Sequence, residues 1–131
     1  MSYTEKDFNE LTNKVIGAAI DVHRELGPGL LESVYEFCFA KELQTRNIEI
    51  EQQVKLPIYY KGDLIDKEFF VDMMVEKELI LELKAVEVVL PVHEAQLLSY
   101  LRLANKRLGL LINFNVVLLK DGIRRVINGK L

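Results

Sequence analysis

Three charged residues in the middle of the chain have the types and spacing of a metal-dependent hydrolytic site. Asp72 interrupts one apolar stretch, and Glu82 and Lys84 interrupt the next. Residues two apart in a strand point to the same side, so Glu82 and Lys84 should share a face while Leu81 and Leu83 take the other. Buried unpaired charges are costly, so each requires a partner, a metal or a water-filled cleft. A solvated strand face with a surface ion pair is the simpler alternative, because such tripeptides are common.

The turn between these two stretches should bring the two carboxyl groups together. A hairpin across Glu76-Lys77-Glu78 places Asp72 opposite Glu82, with the two side chains about 5 Å apart. Carboxylates at that separation repel unless one is protonated or a cation bridges them. Mg²⁺ suits the pair because it prefers oxygen ligands, and no cysteine and histidine constellation favours zinc.

Hydrophobic periodicity predicts three helices. Thr4 and Asp7 resemble a capping box at the start of the first, and Gly27-Pro28-Gly29 ends it, because proline cannot continue the helical hydrogen bonds. A second helix should run from about Leu30 to Arg46, and a third from Val92 to Asn105. The inner side of the second helix is expected to carry Leu31, Val34, Tyr35, Cys38, Phe39 and Leu43.

A period of two predicts the strands. They are expected at Ile48 to Tyr60, Leu64 to Val75, Leu79 to Val86 and Arg107 to Phe114, with a hairpin turn at Lys61-Gly62-Asp63 and a terminal hairpin or extension from Val116 to Ile127. The element order is therefore α-α-β-β-β-α-β. This order predicts an α/β (α+β) fold with a mixed sheet of four to six strands flanked by helices.

Composition limits the size and the location of the protein. A chain of 131 residues, half of them apolar, can bury one core but not two, so residues 1–131 should form a single domain. Charged residues interrupt every apolar stretch before the roughly 18 residues that a bilayer requires, and the N-terminus has no apolar signal core. We therefore expect a cytoplasmic protein with no membrane partner.

The charges are unevenly distributed along the chain. Residues 1–90 hold 10 Lys and Arg against 18 Asp and Glu, whereas residues 91–131 hold 7 against 2. Contacts with a polyanion should therefore fall mainly in the C-terminal part, although ordinary solvated surface charges are an equally good account of any one residue. The candidates are Arg102, Lys106, Arg107, Lys120, Arg124, Arg125 and Lys130.

Two helices add polar residues that could join the site. Glu32 lies in the first turn of the second helix, where a glutamate is also favoured simply by the helix dipole. His93, Gln96 and Tyr100 share one face of the third helix. The polar edge of an amphipathic helix would account for these three equally well.

Taken together, these residues resemble the PD-(D/E)XK nuclease superfamily. The stretch Gly29-Leu30-Leu31-Glu32-Ser33-Val34-Tyr35 matches the signature of its GxxExxY family. Asp72, Glu82-Leu83-Lys84 and Gln96-x-x-x-Tyr100 follow in the expected order, so the resemblance covers nearly the whole chain. Val71 stands where the superfamily often has a proline, at a position that is widely relaxed.

The resemblance implies a restriction-endonuclease-like core and a set of metal ligands. Asp72 and Glu82 would bind Mg²⁺, or Mn²⁺ in its place, and the backbone carbonyl of Leu83 would complete one side of the shell. Glu32 would approach the same centre, either through water or as a ligand of a second metal.

The resemblance also implies roles in proton transfer and in positioning. Lys84 would orient or help to deprotonate the attacking water, which is a stronger acid when a metal binds it. Gln96 and Tyr100 would position the phosphate or the lysine.

We therefore expect a metal-dependent nuclease acting on nucleic acid, with DNA as the first candidate. An alternative is a module that binds nucleic acid or a protein on the same fold without cutting. A third hypothesis is a homo-oligomer that pairs through an exposed strand at Val116-Val117-Leu118-Leu119.

Overall fold

Helices and strands succeed one another along residues 2–131, the part of the chain that this computed structural model describes. The helices are α1 (Glu5–Leu26), α2 (Glu32–Thr45) and α3 (Pro91–Ala104), with a short 3₁₀ helix at Leu119–Gly122. The strands are β1 (Ile50–Leu56), β2 (Tyr59–Tyr60), β3 (Asp63–Leu64), β4 (Phe69–Val75), β5 (Leu79–Lys84), β6 (Leu108–Asn113) and β7 (Ile123–Ile127).

The main sheet has the strand order β1-β4-β5-β6-β7. Strands β5 and β6 are parallel and are joined by α3, whereas the other neighbours are antiparallel. A parallel pair requires such a crossover, because a tight turn can join only antiparallel strands. The predicted fold class, a mixed α/β sheet flanked by helices, is confirmed.

Each face of the sheet has its own core. On one face, residues of α1 and α2 such as Phe8 and Phe39 pack against Leu81 and Leu83. On the other face, Leu97 and Leu101 of α3 pack with Ile80 and Leu111 among others. Because side chains alternate along a strand, Glu82 and Lys84 belong to the α3 face with Ile80. They share one face opposite Leu81 and Leu83, as the sequence predicts.

The start of α1 is fixed by the predicted capping box. Thr4 Oγ1 accepts a hydrogen bond from the Asp7 amide at 3.1 Å, and Asp7 Oδ2 accepts one from the Thr4 amide at 2.9 Å. Two amides that the helix leaves free are thereby satisfied. The helix ends at Gly27, whose φ of 69° suits glycine.

The predicted inner side of α2 is wrong at two residues. Leu31 is 74% exposed and precedes the helix, and Val34 is also exposed. Tyr35, Phe39 and Leu43 are buried, and their spacing of four places them on one narrow stripe that excludes position 34.

The two long strands predicted from Ile48 to Tyr60 and from Leu64 to Val75 are each interrupted. Pro57 follows β1 and has no amide hydrogen to continue the ladder, so β2 and β3 form a separate small hairpin. Its turn lies at Lys61 and Gly62, as predicted, and both residues have the positive φ of the tight turn that suits twisted strands.

The terminal segment also differs from the prediction. Val116 to Leu118 is not a strand, and the chain passes through the 3₁₀ helix before β7 pairs with β6. Gly122 permits this path because a Cβ there would lie 2.1 Å from the Asn113 carbonyl oxygen. The edge strand on which the oligomer hypothesis depended is therefore absent from this segment. None of the helices in residues 2–131 is long and apolar enough to cross a membrane.

Asn113 fastens the chain just after β5, the strand that carries Glu82 and Lys84. It is 2% exposed, and its side chain donates to the Val86 carbonyl at 2.8 Å and accepts from the Val86 amide at 3.0 Å. The Phe114 amide also donates to the Lys84 carbonyl at 2.9 Å. The end of β5 is therefore held by β6 beyond the last strand pair.

We predict that Asn113→Ala lowers the free energy of unfolding by about 1–3 kcal/mol, because it leaves two polar groups of Val86 without their partner. Urea denaturation measures the change. Asn115→Ala, at a partly exposed neighbour, is the control and should change stability by less than about 0.5 kcal/mol. Equal losses in the two variants would contradict the account.

Candidate active site

The candidate site lies where the hydrogen-bond ladder between β4 and β5 stops. The last recorded pair is Met73 with Leu81, and one residue further brings Asp72 level with Glu82. This is the register that the sequence predicts. The side chains of Asp72 and Glu82 now take over the backbone hydrogen bonds of the partner strand.

The exchange is reciprocal. Glu82 Oε1 accepts a hydrogen bond from the Asp72 amide at 3.1 Å, and Asp72 Oδ2 accepts one from the Leu83 amide at 2.8 Å. Each carboxyl group therefore uses one oxygen to replace a strand contact. Glu82 Oε2 and Asp72 Oδ1 are left to face other groups.

The surroundings of Glu82 favour its protonated form. Glu82 is 7% exposed. Burial, followed by the negative charge of Asp72, raises the pKa of Glu82 to about 8, and a hydrogen bond between the two carboxyl groups adds to the rise. The Lys84 ammonium and the Asp72 amide act in the opposite direction but do not offset it. At neutral pH Glu82 therefore keeps its proton when no cation is present.

Lys84 lies close to both acidic centres. It ends β5, is partly exposed, and its positive charge opposes the rise in the pKa of Glu82 and of Glu32. Within residues 2–131 it has no carboxylate oxygen within 4 Å. Its ammonium group is therefore available to a substrate or to a water molecule.

Tyr35 explains how the turn before α2 sets the position of Glu32. The buried Tyr35 hydroxyl donates to the Gly27 carbonyl at 2.6 Å and accepts from the Leu30 amide at 3.1 Å. Its ring stacks on Phe114 with a centroid distance of 4.7 Å. The tyrosine of the Gly29–Tyr35 stretch thus ties the turn and the first helical residues to the core.

Glu32 is exposed at the start of α2 but feels the site electrostatically. Desolvation raises its pKa, and the charge of Asp72 raises it further. Glu36, one turn later, behaves in the same way, with burial first and Asp72 contributing. Both carboxylates therefore lie on the side of α2 that faces Asp72.

Tyr100 reaches the site from α3, whereas Gln96 stays in solvent. Tyr100 is 8% exposed and contacts Phe69, with ring centroids 5.7 Å apart. Burial and then the charges of Glu82 and Asp72 raise the pKa of its hydroxyl. Gln96 is exposed one turn earlier. His93 Nδ1 accepts from the Leu90 amide at 3.0 Å, so this side chain caps the start of α3.

The basic residues of the C-terminal part do not form one cluster. Arg107 stacks over Phe8 at 4.8 Å, and Arg125 donates to Asn9 Oδ1 at 3.0 Å, so both are turned towards α1. Arg124, the neighbour of Arg125 in β7, takes the opposite face of the strand. The prediction of a C-terminal polyanion surface is therefore weakened at Arg107 and Arg125.

Family comparison agrees with the fold. A family model of the PD-(D/E)XK nuclease superfamily matches residues 9–126, which includes both acidic strands, α2 and α3. The chain belongs to the PD-(D/E)XK nuclease superfamily. The superfamily name indicates nuclease chemistry as the class of activity, with a nucleic acid as the implied class of substrate.

The chain is also similar to the crystal structure of SSO0001, with a TM-score of 0.53 and 23% sequence identity. The match covers 76% of this chain but only 50% of that chain, so it spans about half the length of SSO0001. At this identity the likeness shows the fold alone. No curated protein matches the chain.

The donor chemistry of the site fits a divalent cation of the kind these nucleases generally use. Asp72 and Glu82 offer only oxygen atoms, and their ionised carboxylates would repel each other beside the buried end of β5, a repulsion that a cation would relieve. The Glu32 carboxylate is not close enough to Asp72 and Glu82 to form a three-carboxylate group with them. Among the described residues 2–131, no three His, Cys, Asp or Glu side chains are grouped closely enough to hold a metal.

Two residues at the site were missed by the sequence analysis. Gln53 of β1 donates from Nε2 to Glu36 Oε1 at 2.8 Å and lies 3.5 Å from Asp72 Oδ1. Glu36 could have been found, because it follows Glu32 by four residues and so shares its helix face. Gln53 has no such signal, since its position depends on the register of β1 against β4.

We predict that Glu82→Gln stabilises the metal-free protein at pH 8 by about 2 kcal/mol, because it removes a buried carboxyl that must either ionise or keep a proton. In the wild type, folded Glu82 binds its proton more tightly than the unfolded chain does. Its contribution to the free energy of unfolding therefore falls as pH rises from the ordinary value of 4.5 to about 8.

Urea denaturation at several pH values between 4.5 and 8 measures this slope. Glu82→Gln should make the slope shallower, whereas Glu51→Gln, at an exposed position of β1, should leave it as in the wild type. A Glu82→Gln protein with an unchanged slope would show that Glu82 is not the group that titrates.

Proposed function

We propose that the chain is a Mg²⁺-dependent nuclease of the GxxExxY family that hydrolyses phosphodiester bonds, with DNA as its substrate. The observation that carries the proposal is the reciprocal hydrogen bonding that holds Asp72 beside the buried Glu82, with Lys84 close by, in a chain of the PD-(D/E)XK nuclease superfamily. Mn²⁺ should substitute for Mg²⁺.

In this proposal Asp72, Glu82 and the Leu83 carbonyl hold the cation, and Glu32 approaches it through water. The cation would lower the pKa of water and neutralise charge on the phosphoryl oxygens. The protein's part is to present two carboxyl groups whose geometry the strand amides of Asp72 and Leu83 already fix. Little reorganisation is then needed when the proton of the pair is displaced.

The remaining residues act on the substrate side. Lys84 orients the attacking water through its ammonium group, which has no carboxylate oxygen within 4 Å among residues 2–131. In its neutral amine form it would accept the proton of that water. Tyr100 supports the pair from α3 and, with Gln96, positions the phosphate or Lys84. The exposed position of Gln96 suits contact with a bound substrate rather than with the protein.

We predict that Asp72→Asn and Lys84→Met each lower cleavage by at least about 10²-fold, because each removes a charge that acts on the reacting phosphate. The assay uses single-stranded, double-stranded and branched DNA, with RNA in parallel, at several concentrations of Mg²⁺ and Mn²⁺. Asp72→Asn keeps an oxygen that can accept from the Leu83 amide, so the fold should persist.

The matched controls are Asp66→Asn and Lys67→Ala, at exposed positions before β4. Both should cut as the wild type does. Cleavage that persists unchanged in Asp72→Asn and Lys84→Met proteins with native circular dichroism would remove the assignment.

A second candidate is a module that binds nucleic acid or a protein without cutting. This candidate is favoured by the position of Glu32, which does not complete a three-carboxylate cluster with Asp72 and Glu82 among the described residues. Calorimetry separates the two, because such a module would take up nucleic acid without a divalent cation and show no turnover at any cation concentration.

Three further expectations belong to this proposal. We infer a single nuclease-like domain over residues 1–131 and a cytoplasmic location. The third expectation is a homo-oligomer, although residues 116–119 do not form the strand that first suggested it.

A further inference from the structure

Gln53 has a backbone conformation that is unusual for a strand. It lies in β1 between the pairs Gln52 with Met73 and Val54 with Val71, so it stands level with Asp72. Its φ is 50°, in the left-handed region that side-chain-bearing residues other than Asn and Asp seldom adopt. Such a conformation persists only where the surrounding structure holds it, and it is most often found at functional sites.

The side chain of Gln53 lies between two acidic groups. Its amide nitrogen donates to Glu36 Oε1 at 2.8 Å and lies 3.5 Å from Asp72 Oδ1, at the outer limit of a hydrogen bond. A primary amide has two hydrogens and can therefore serve two acceptors. The Asp72 oxygen that it faces, Oδ1, accepts no backbone amide within residues 2–131, whereas Oδ2 accepts the Leu83 amide.

The contact separates like charges. Glu36 lies on the side of α2 that faces Asp72. Burial raises the pKa of Glu36, the hydrogen bond from Gln53 lowers it, and the negative charge of Asp72 adds a smaller rise. Without the amide, the Glu36 carboxylate would face Asp72 directly, and repulsion would turn one of the two side chains away. Asp72 has the amide of Leu83 on its other oxygen, so the two contacts together fix the plane of the carboxyl group.

We propose that Gln53 is a positioning residue for Asp72: its side-chain amide holds Glu36 away from Asp72 and, through Oδ1, steadies the plane of the Asp72 carboxyl group. The inference rests on the proposed function, since it assumes that Asp72 binds a divalent cation. Gln53 touches neither the cation nor the substrate in this account. Gln53 affects the affinity for the cation only by fixing the position of Asp72.

Gln53→Gly tests the proposal because it removes the amide while suiting the backbone. Glycine adopts a positive φ without strain, so the melting temperature of the metal-free variant should equal or exceed that of the wild type. The dissociation constant for Mn²⁺, measured by calorimetry on the full chain, should rise by about tenfold, as is typical when a partner of a ligand is removed. Gln52→Ala, at the exposed neighbouring glutamine, should leave it unchanged.

A double-mutant cycle with Glu36→Gln identifies the route of the effect. If the amide acts by separating two negative charges, Gln53→Gly should cost less Mn²⁺ affinity in the Glu36→Gln background than in the wild type. A purely structural role for Gln53 would give the same loss in both backgrounds and would overturn the inference.

The remaining outcomes distinguish a failure of the Gln53 inference from a failure of the proposed function. Wild-type protein that binds Mn²⁺ and a Gln53→Gly variant that binds it equally well would overturn the inference and leave the proposed function standing. Wild-type protein that binds no Mn²⁺ would overturn the proposed function, and the inference with it.

Discussion

The carboxyl groups of Asp72 and Glu82 are forced together at the point where β4 and β5 stop pairing, and most features of the site follow from this contact. Each group accepts an amide of the opposite strand, so neither can turn away from the other. Because Glu82 is buried, the pair cannot hold two negative charges at low cost and keeps a proton near neutral pH. A site that holds a proton in this way is ready to exchange it for a cation.

The surrounding elements fix this contact from three directions. Asn113 holds the chain beyond Lys84 to the end of β6, and Tyr100 of α3 lies close enough for the charges of Glu82 and Asp72 to raise the pKa of its hydroxyl, after the effect of burial. On the third side, Gln53 and the acidic face of α2 meet Asp72. The tyrosine of the Gly29–Tyr35 stretch belongs to the support and not to the chemistry, because its hydroxyl is fully used by the turn that precedes Glu32.

The sequence predicts the parts of this arrangement that local rules control. The turn at Glu76-Lys77-Glu78 sets the register that pairs Asp72 with Glu82, and the Thr4 capping box depends only on residues three apart. The error at Leu31 and Val34 arose because several helical phases fit the apolar residues of α2, and packing selects one. The left-handed conformation of Gln53 has no signal in the residue type, since it results from contacts with β4 and α2 that are distant in sequence.

The most direct test is a crystal of the protein soaked in Mn²⁺ and measured for anomalous scattering. The account predicts one strong peak bound by an oxygen of Asp72 and an oxygen of Glu82, at about 2.0–2.2 Å from each, as is usual for a small divalent cation on carboxylates. The hydrogen bonds from the Asp72 and Leu83 amides should remain in place. A protein that cleaves DNA with Mn²⁺ but shows its peak away from both carboxyl groups would contradict the central claim.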